Sequence, residues 1–163
     1  MPKCEFAKWM PINPTDAREP KRLFIIHSMA GYLQGSDSWF RDPRSKGLCS
    51  TFGMGSKSVQ PGVEIWQWKD SADRAAANVA ANGIAISLEV SNSRGFHAHP
   101  KFHQDRFDDV QMSQIVRLAN WVVDNSDTPR QQAVSWAGSG FGYHQQFSQW
   151  TSRGHECPGN TRI

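Results

Sequence analysis

Eighteen residues near the C-terminus, Gly142 to Gly159 (GYHQQFSQWTSRGHECPG), limit the folds open to this chain. They set His144, His155 and Cys157 within fourteen residues, and Pro158 and Gly159 turn the chain directly after the thiol. Sulfur with imidazole is a donor set that zinc prefers, and a catalytic zinc takes three protein ligands and keeps one position open. Two candidate ligands sit in this stretch, so a third is expected elsewhere. The apolar run Leu23-Phe24-Ile25-Ile26 delivers one at its end, His27.

A short continuous apolar run of this kind predicts a strand buried on both faces, Leu23 to His27. Residues 1–20, with Pro2, Pro11, Pro14 and Pro20, read as an irregular lead-in pinned to the body by Trp9. Gly35-Ser36-Asp37-Ser38 reads as a helix start leading to Trp39 and Phe40. Leu48 to Met54 and Val63 to Trp68 read as two strands of a hairpin. The alanine-rich segment Ser71 to Ala81 predicts a short helix or a helical turn stopped by Asn82-Gly83. Ile84 to Val90 alternates as a central strand with Glu89 near its end, and Asn92 to Asp109 is a polar loop. Met112, Ile115, Ala119 and Val122 recur at helical spacing, so Val110 to Asp124 is a helix. The order predicts an α/β domain with a mixed central sheet flanked by helices and its ligands gathered from loops at one sheet edge.

Length and charge exclude several classes. A chain of 163 residues can bury one core, and a 38% hydrophobic fraction with seven Trp and nine Phe argues against disorder. The net charge of +3 is scattered without a dense basic tract, so nucleic acid is not an expected partner. Cys4, Cys49 and Cys157 make an odd set with no disulfide framework, which suits a reducing compartment. No apolar run approaches the ~20 residues of a membrane span, and the N-terminus lacks the pattern of a secretory leader. A second histidine group, His97, His99 and His103, sits in the polar loop GFHAHPKFHQD and is read as surface or substrate-side rather than metal-binding.

At this point the residues resemble a known family, the zinc-dependent N-acetylmuramoyl-L-alanine amidases, which includes phage endolysins and peptidoglycan recognition proteins. Phe24-Ile25-Ile26-His27-Ser28 is similar to the family's strand ending in a zinc histidine. Asn82 to Glu89 (NGIAISLE) is similar to its asparagine followed by a strand ending in a catalytic glutamate. Gly142-Tyr143-His144 and Cys157-Pro158-Gly159 match the remaining ligands, and Ser50-Thr51-Phe52 with Trp66-Gln67 resembles the middle strand pair. The resemblance spans nearly all of residues 20–163 and is closest in flavour to endolysins of phages infecting actinobacteria.

The resemblance implies a single catalytic domain over residues 1–163, with Zn2+ on His27, His144 and Cys157. Glu89 would be the proton-transfer carboxylate and His155 an oxyanion donor, where many members carry lysine. Trp39, Trp66, Thr51 and Asn82 are the candidate substrate-binding residues. A tyrosine common beside the middle strand is replaced here, at Ser50 on this reading. The bond cut would join N-acetylmuramic acid to L-alanine of the peptidoglycan stem, by a zinc-activated water. A monomer is expected, with no membrane partner. The expected location is the host cytoplasm until lysis, and the resemblance implies a longer lysin that would add a C-terminal wall-binding module. The alternatives are a non-hydrolytic peptidoglycan-binding module of the same fold, against which Cys157 speaks, and a structural zinc site, which would need a fourth protein ligand.

Overall fold

A computed structural model describes residues 3–12, 19–59, 62–92, 106–150 and 157–158. Its frame is a six-stranded sheet in the order β1-β4-β3-β5-β2-β6. The strands are β1 (Lys8–Trp9), β2 (Leu23–Met29), β3 (Phe52–Met54), β4 (Ile65–Gln67), β5 (Ala85–Ser91) and β6 (Gly140–Tyr143). β3 and β4 are antiparallel, and every other neighbouring pair is parallel. The helices are α1 (Leu33–Arg41) and α2 (Asp109–Asn125). The expected mixed sheet with flanking helices is the fold observed.

The two long strands, β2 and β5, lie side by side inside the sheet and are covered on both faces, which is why they read as near-continuous apolar runs. The pleat then divides their side chains. Phe24, Ile86, Leu88 and Val90 join Phe52, Met54 and the α2 residues Ile115, Leu118, Trp121 and Val122 in one core. Leu23, Ile25 and Ala85 face the other way, against Ala81, Ala133, Phe147 and Trp150. Because side chains alternate along a strand, His27 follows Leu23 and Ile25 onto this second face, away from α2. α2 starts with a capping box. The Asp108 carboxylate accepts from the Val110 and Gln111 amides at 2.9 Å each, while Gln111 Oε1 accepts from the Asp108 amide at 3.2 Å.

Three expectations are corrected. The lead-in holds an edge strand: β1 runs parallel to β4, and Met10 and Ile12 continue the pairing by donating to the Gln67 and Trp68 carbonyls at 2.9 and 3.0 Å. α1 begins at Leu33, two residues before Gly35, with Tyr32 as its N-cap. Of the two forms expected for the alanine-rich segment, the short helix does not form, and a series of turns ending in a 3-10 helical turn, Val79–Ala81, stands in its place. The Asn78 amide, which a helix would direct to the Arg74 carbonyl, donates instead to Asn82 Oδ1. Among the described residues no helix is long and apolar enough to cross a membrane.

Candidate metal centre and cleft

The parallel strands β5, β2 and β6 end at the same edge of the sheet, and the functional candidates sit there. His27 is third from the end of β2, Glu89 third from the end of β5, and His144 follows the last residue of β6. This is the edge at which open α/β sheets place their ligands. His27 and Glu89 are register partners, so their side chains leave the same face of adjacent strands.

The C-terminal segment closes the group. The Gln145 amide donates to the Cys157 carbonyl at 2.6 Å, and the Ser28 amide donates to Cys157 Sγ at 3.1 Å. One ligand atom each from His27, His144 and Cys157 lies within 4.8 Å of the others, the one such group among the described residues. His27 and Cys157 are buried and His144 is half-buried. The His27 and His144 rings stand 4.9 Å apart.

The donor set fits zinc. A tetrahedral ion with Zn–N and Zn–S bonds of about 2.0–2.1 and 2.3 Å sets nitrogen and sulfur roughly 3.6 Å apart. His27 Nδ1 and Cys157 Sγ are 3.7 Å apart. The other ring nitrogen of His27, Nε2, lies 2.8 Å from Asn78 Oδ1, a contact of the kind that orients metal-binding imidazoles. Among the described residues the group offers three donors, and a zinc ion with three protein ligands keeps one position open.

Glu89 faces the same cleft and keeps partial exposure to it. Desolvation by the surrounding protein pushes its carboxyl up to about 8. The cleft encloses ≈ 670 Å³ and runs from the His27–His144–Cys157 group along α1, past Tyr32, Trp39 and Phe40. Trp39, 44% exposed, is the predicted substrate-binding residue that lines it. The structure does not bring the other three to the cleft. Thr51 is buried, its hydroxyl accepting from the Ser87 amide at 3.2 Å. Trp66 sits in the same cross-sheet row as Glu89, two strands away, but packs against Trp68, Met29 and Leu33. Asn82 uses its side-chain oxygen on the backbone of Asn78. Ser50 pairs with Ser87 through hydroxyls 3.0 Å apart, whereas the residue beside Glu89 on β3 is Gly53. His155, His97, His99 and His103 lie outside the described residues.

Sequence reasoning missed Asn78, Ser28, Tyr32 and Phe40. Asn78 carried one signal. An asparagine after three alanines is a poor helix residue whose side chain competes for backbone donors.

Comparisons agree with this arrangement. The fold resembles AmpD (14% identity, TM-score 0.69, covering 99% of this chain and 92% of that one). It also resembles the N-acetylmuramoyl-L-alanine amidase LysC from Clostridium intestinale (14%, 0.61, 95% and 91%). A third likeness is to peptidoglycan recognition protein-LE, solved in complex with tracheal cytotoxin (12%, 0.64, 98% and 91%). At these identities the likeness is one of fold. No curated protein matches the sequence. Residues 17–160 match the family model described as N-acetylmuramoyl-L-alanine amidase, so the match takes in every described candidate for metal binding and proton transfer, and the chain belongs to that family.

Proposed function

We propose that the protein hydrolyses the amide between the lactyl group of N-acetylmuramic acid and L-alanine of the peptidoglycan stem, with Zn2+ held by His27, His144 and Cys157. The observation that carries this reading is the meeting of two imidazoles and a thiol beside Glu89 in one cleft, in a chain of the amidase family. Bound there, zinc supplies a Lewis acid for the scissile carbonyl, a lowered pKa for water and a positive charge that favours ionised Glu89.

The chain's own residues do the rest. Glu89 takes a proton from the attacking water and delivers it to the leaving nitrogen, so the C–N bond breaks to give a lactyl carboxylate and a free alanine amine. His155 is the proposed donor to the oxygen that becomes negative as the carbonyl is attacked. Tyr32, Trp39 and Phe40 offer apolar faces to the sugar–peptide junction and displace water from it. In biological terms we read the domain as the catalytic part of an endolysin acting on the host wall.

The test is zinc stoichiometry on wild type and Cys157→Ser, paired with assays for new amino groups and new reducing ends on purified cell wall. One zinc in wild type, lost in the variant, with new amino groups and no reducing ends, is the expected result. Full zinc occupancy without hydrolysis of several wall types would favour a binding module instead. Absence of zinc from the wild type would remove the metal from the reading.

A further inference from the structure

Asn78 takes no part in the chemistry above, yet it is fully buried against His27. Its Oδ1 contacts Nε2 of the ring, whose Nδ1 faces Cys157 Sγ. A carbonyl oxygen can only accept, so this contact requires the proton on Nε2 and leaves the lone pair on Nδ1, the atom aimed at the sulfur. The opposite amide orientation would favour the proton on Nδ1 and block that lone pair. Asn78 Nδ2 is buried with no hydrogen-bond partner among the described residues. The side chain is thus placed for its oxygen and leaves its own NH2 unsatisfied, a cost that a merely space-filling residue would avoid.

The backbone around Asn78 bears the same mark. Val79 adopts φ +48°, a left-handed conformation that a β-branched side chain strongly disfavours. The turn is fastened on both sides of the strained residue. The Asn78 amide donates to Asn82 Oδ1 at 2.5 Å, and the Ala81 amide donates to the Asn78 carbonyl at 2.8 Å. Farther along, the buried Lys21 ammonium donates to the Gly83 carbonyl. Backbone strain next to a residue that contacts His27 Nε2 at 2.8 Å indicates a turn shaped to hold that contact.

We infer that Asn78 is a positioning residue that fixes His27 in its Nε2–H tautomer, presenting Nδ1 as the donor atom, and that the turn from Asn78 to Asn82 is strained to keep it there. The inference rests on the reading of His27 as a ligand. It also gives Asn82 an indirect part in the site.

Two measurements test it. In the zinc-free protein, above the pH at which the ring is neutral, long-range proton–nitrogen correlation spectra should show a single His27 tautomer protonated at Nε2. Asn78→Ala should mix the tautomers and weaken zinc binding, measured by chelator competition, by about 10- to 100-fold. Asn78→Asp keeps an acceptor oxygen and should hold both the tautomer and the affinity. Asn78→Ala with wild-type tautomer and zinc affinity within twofold would overturn the inference, and so would Asn78→Asp binding zinc tenfold more weakly. If the alanine variant does not fold, the aspartate variant decides alone. A wild type that binds no zinc would sink the metal reading above, and the tautomer spectrum would still decide the role of Asn78.

Discussion

Glu89→Gln should abolish turnover while making the zinc-free protein more stable at alkaline pH. The Glu89 carboxyl lies at about 8 in the fold against 4.5 for the free group, because burial disfavours its charge. A folded-state pKa above the unfolded one means the native state holds the proton more tightly. The contribution is therefore fully present below 4.5, is lost as pH rises, and is gone above 8. At about 1.4 kcal/mol per pH unit the full displacement corresponds to about 5 kcal/mol, and residual exposure to the cleft reduces this to about 3 kcal/mol. Glutamine keeps the shape and carries no charge, so it removes the penalty. Urea unfolding of zinc-free wild type and variant at pH 4.5 and 8.5 reads the effect. The two should agree within about 1 kcal/mol at the acid end and diverge by about 3 kcal/mol at the alkaline end, the variant being the more stable. Equal stabilities at pH 8.5, or a variant destabilised at both values, would refute the claim that the fold pushes charge off this carboxylate.

Two further substitutions probe the frame of the cleft. A Cβ on Gly53 would overlap the Trp68 ring and approach Leu33 Cδ2 to 2.9 Å, so Gly53→Ala should cost about 1–3 kcal/mol in thermal or urea unfolding. Asp37 on α1 accepts from Trp68 Nε1 at 2.9 Å and from Arg41 at 2.8 and 2.9 Å, while Arg41 also holds the Met10 and Pro11 carbonyls. Asp37→Asn should lower stability by only about 1 kcal/mol, since this network is partly exposed, but loosen the wall bearing Trp39 and Phe40. In wall-hydrolysis kinetics KM should rise more than kcat falls. An unchanged KM would separate the network from the cleft.

The parts that were legible in the sequence are those whose signal is local. β2 and β5 announce themselves as apolar runs because both faces are covered, and α2 by its 3.6-residue period. The candidate ligand group is legible because cysteine and histidine near a Pro-Gly turn have few reasons to be there other than chemistry. What escaped was fixed by partners distant in the chain. β1 is two residues long, and only the exposed edge of β4 makes it a strand. β6 carries glycine at two of its four positions, a weak strand sequence that forms because β2 offers an edge. The alanine-rich segment has the composition of a helix apart from Asn78 and Val79, and there the Asn82 side chain takes the Asn78 amide. Trp66 and Thr51 are candidate cleft residues by residue type and position in the sequence, but covering by Trp68 and pairing with Ser87 are matters of tertiary packing.

The same distinction explains why the site is sensitive to register. His27, Glu89 and Gly53 occupy one row across β2, β5 and β3, and Trp66 extends it onto β4. Because side chains alternate with a period of two, sliding β5 by one residue against β2 would replace Glu89 with Leu88 or Val90 in that row and turn the carboxylate towards α2. The apolar residues that alternate with the site residues forbid this, since a slip would also expose Leu88 and Val90, both fully buried in the α2 core. Burying those two side chains is worth roughly 1.5–3 kcal/mol each, comparable with the penalty that the displaced Glu89 carboxyl imposes at alkaline pH. The hydrophobic half of β5 thus holds its charged member in a place the carboxylate itself disfavours. An unfavourable carboxylate is what proton transfer near neutral pH requires, and the core beneath it supplies the stability to keep it there.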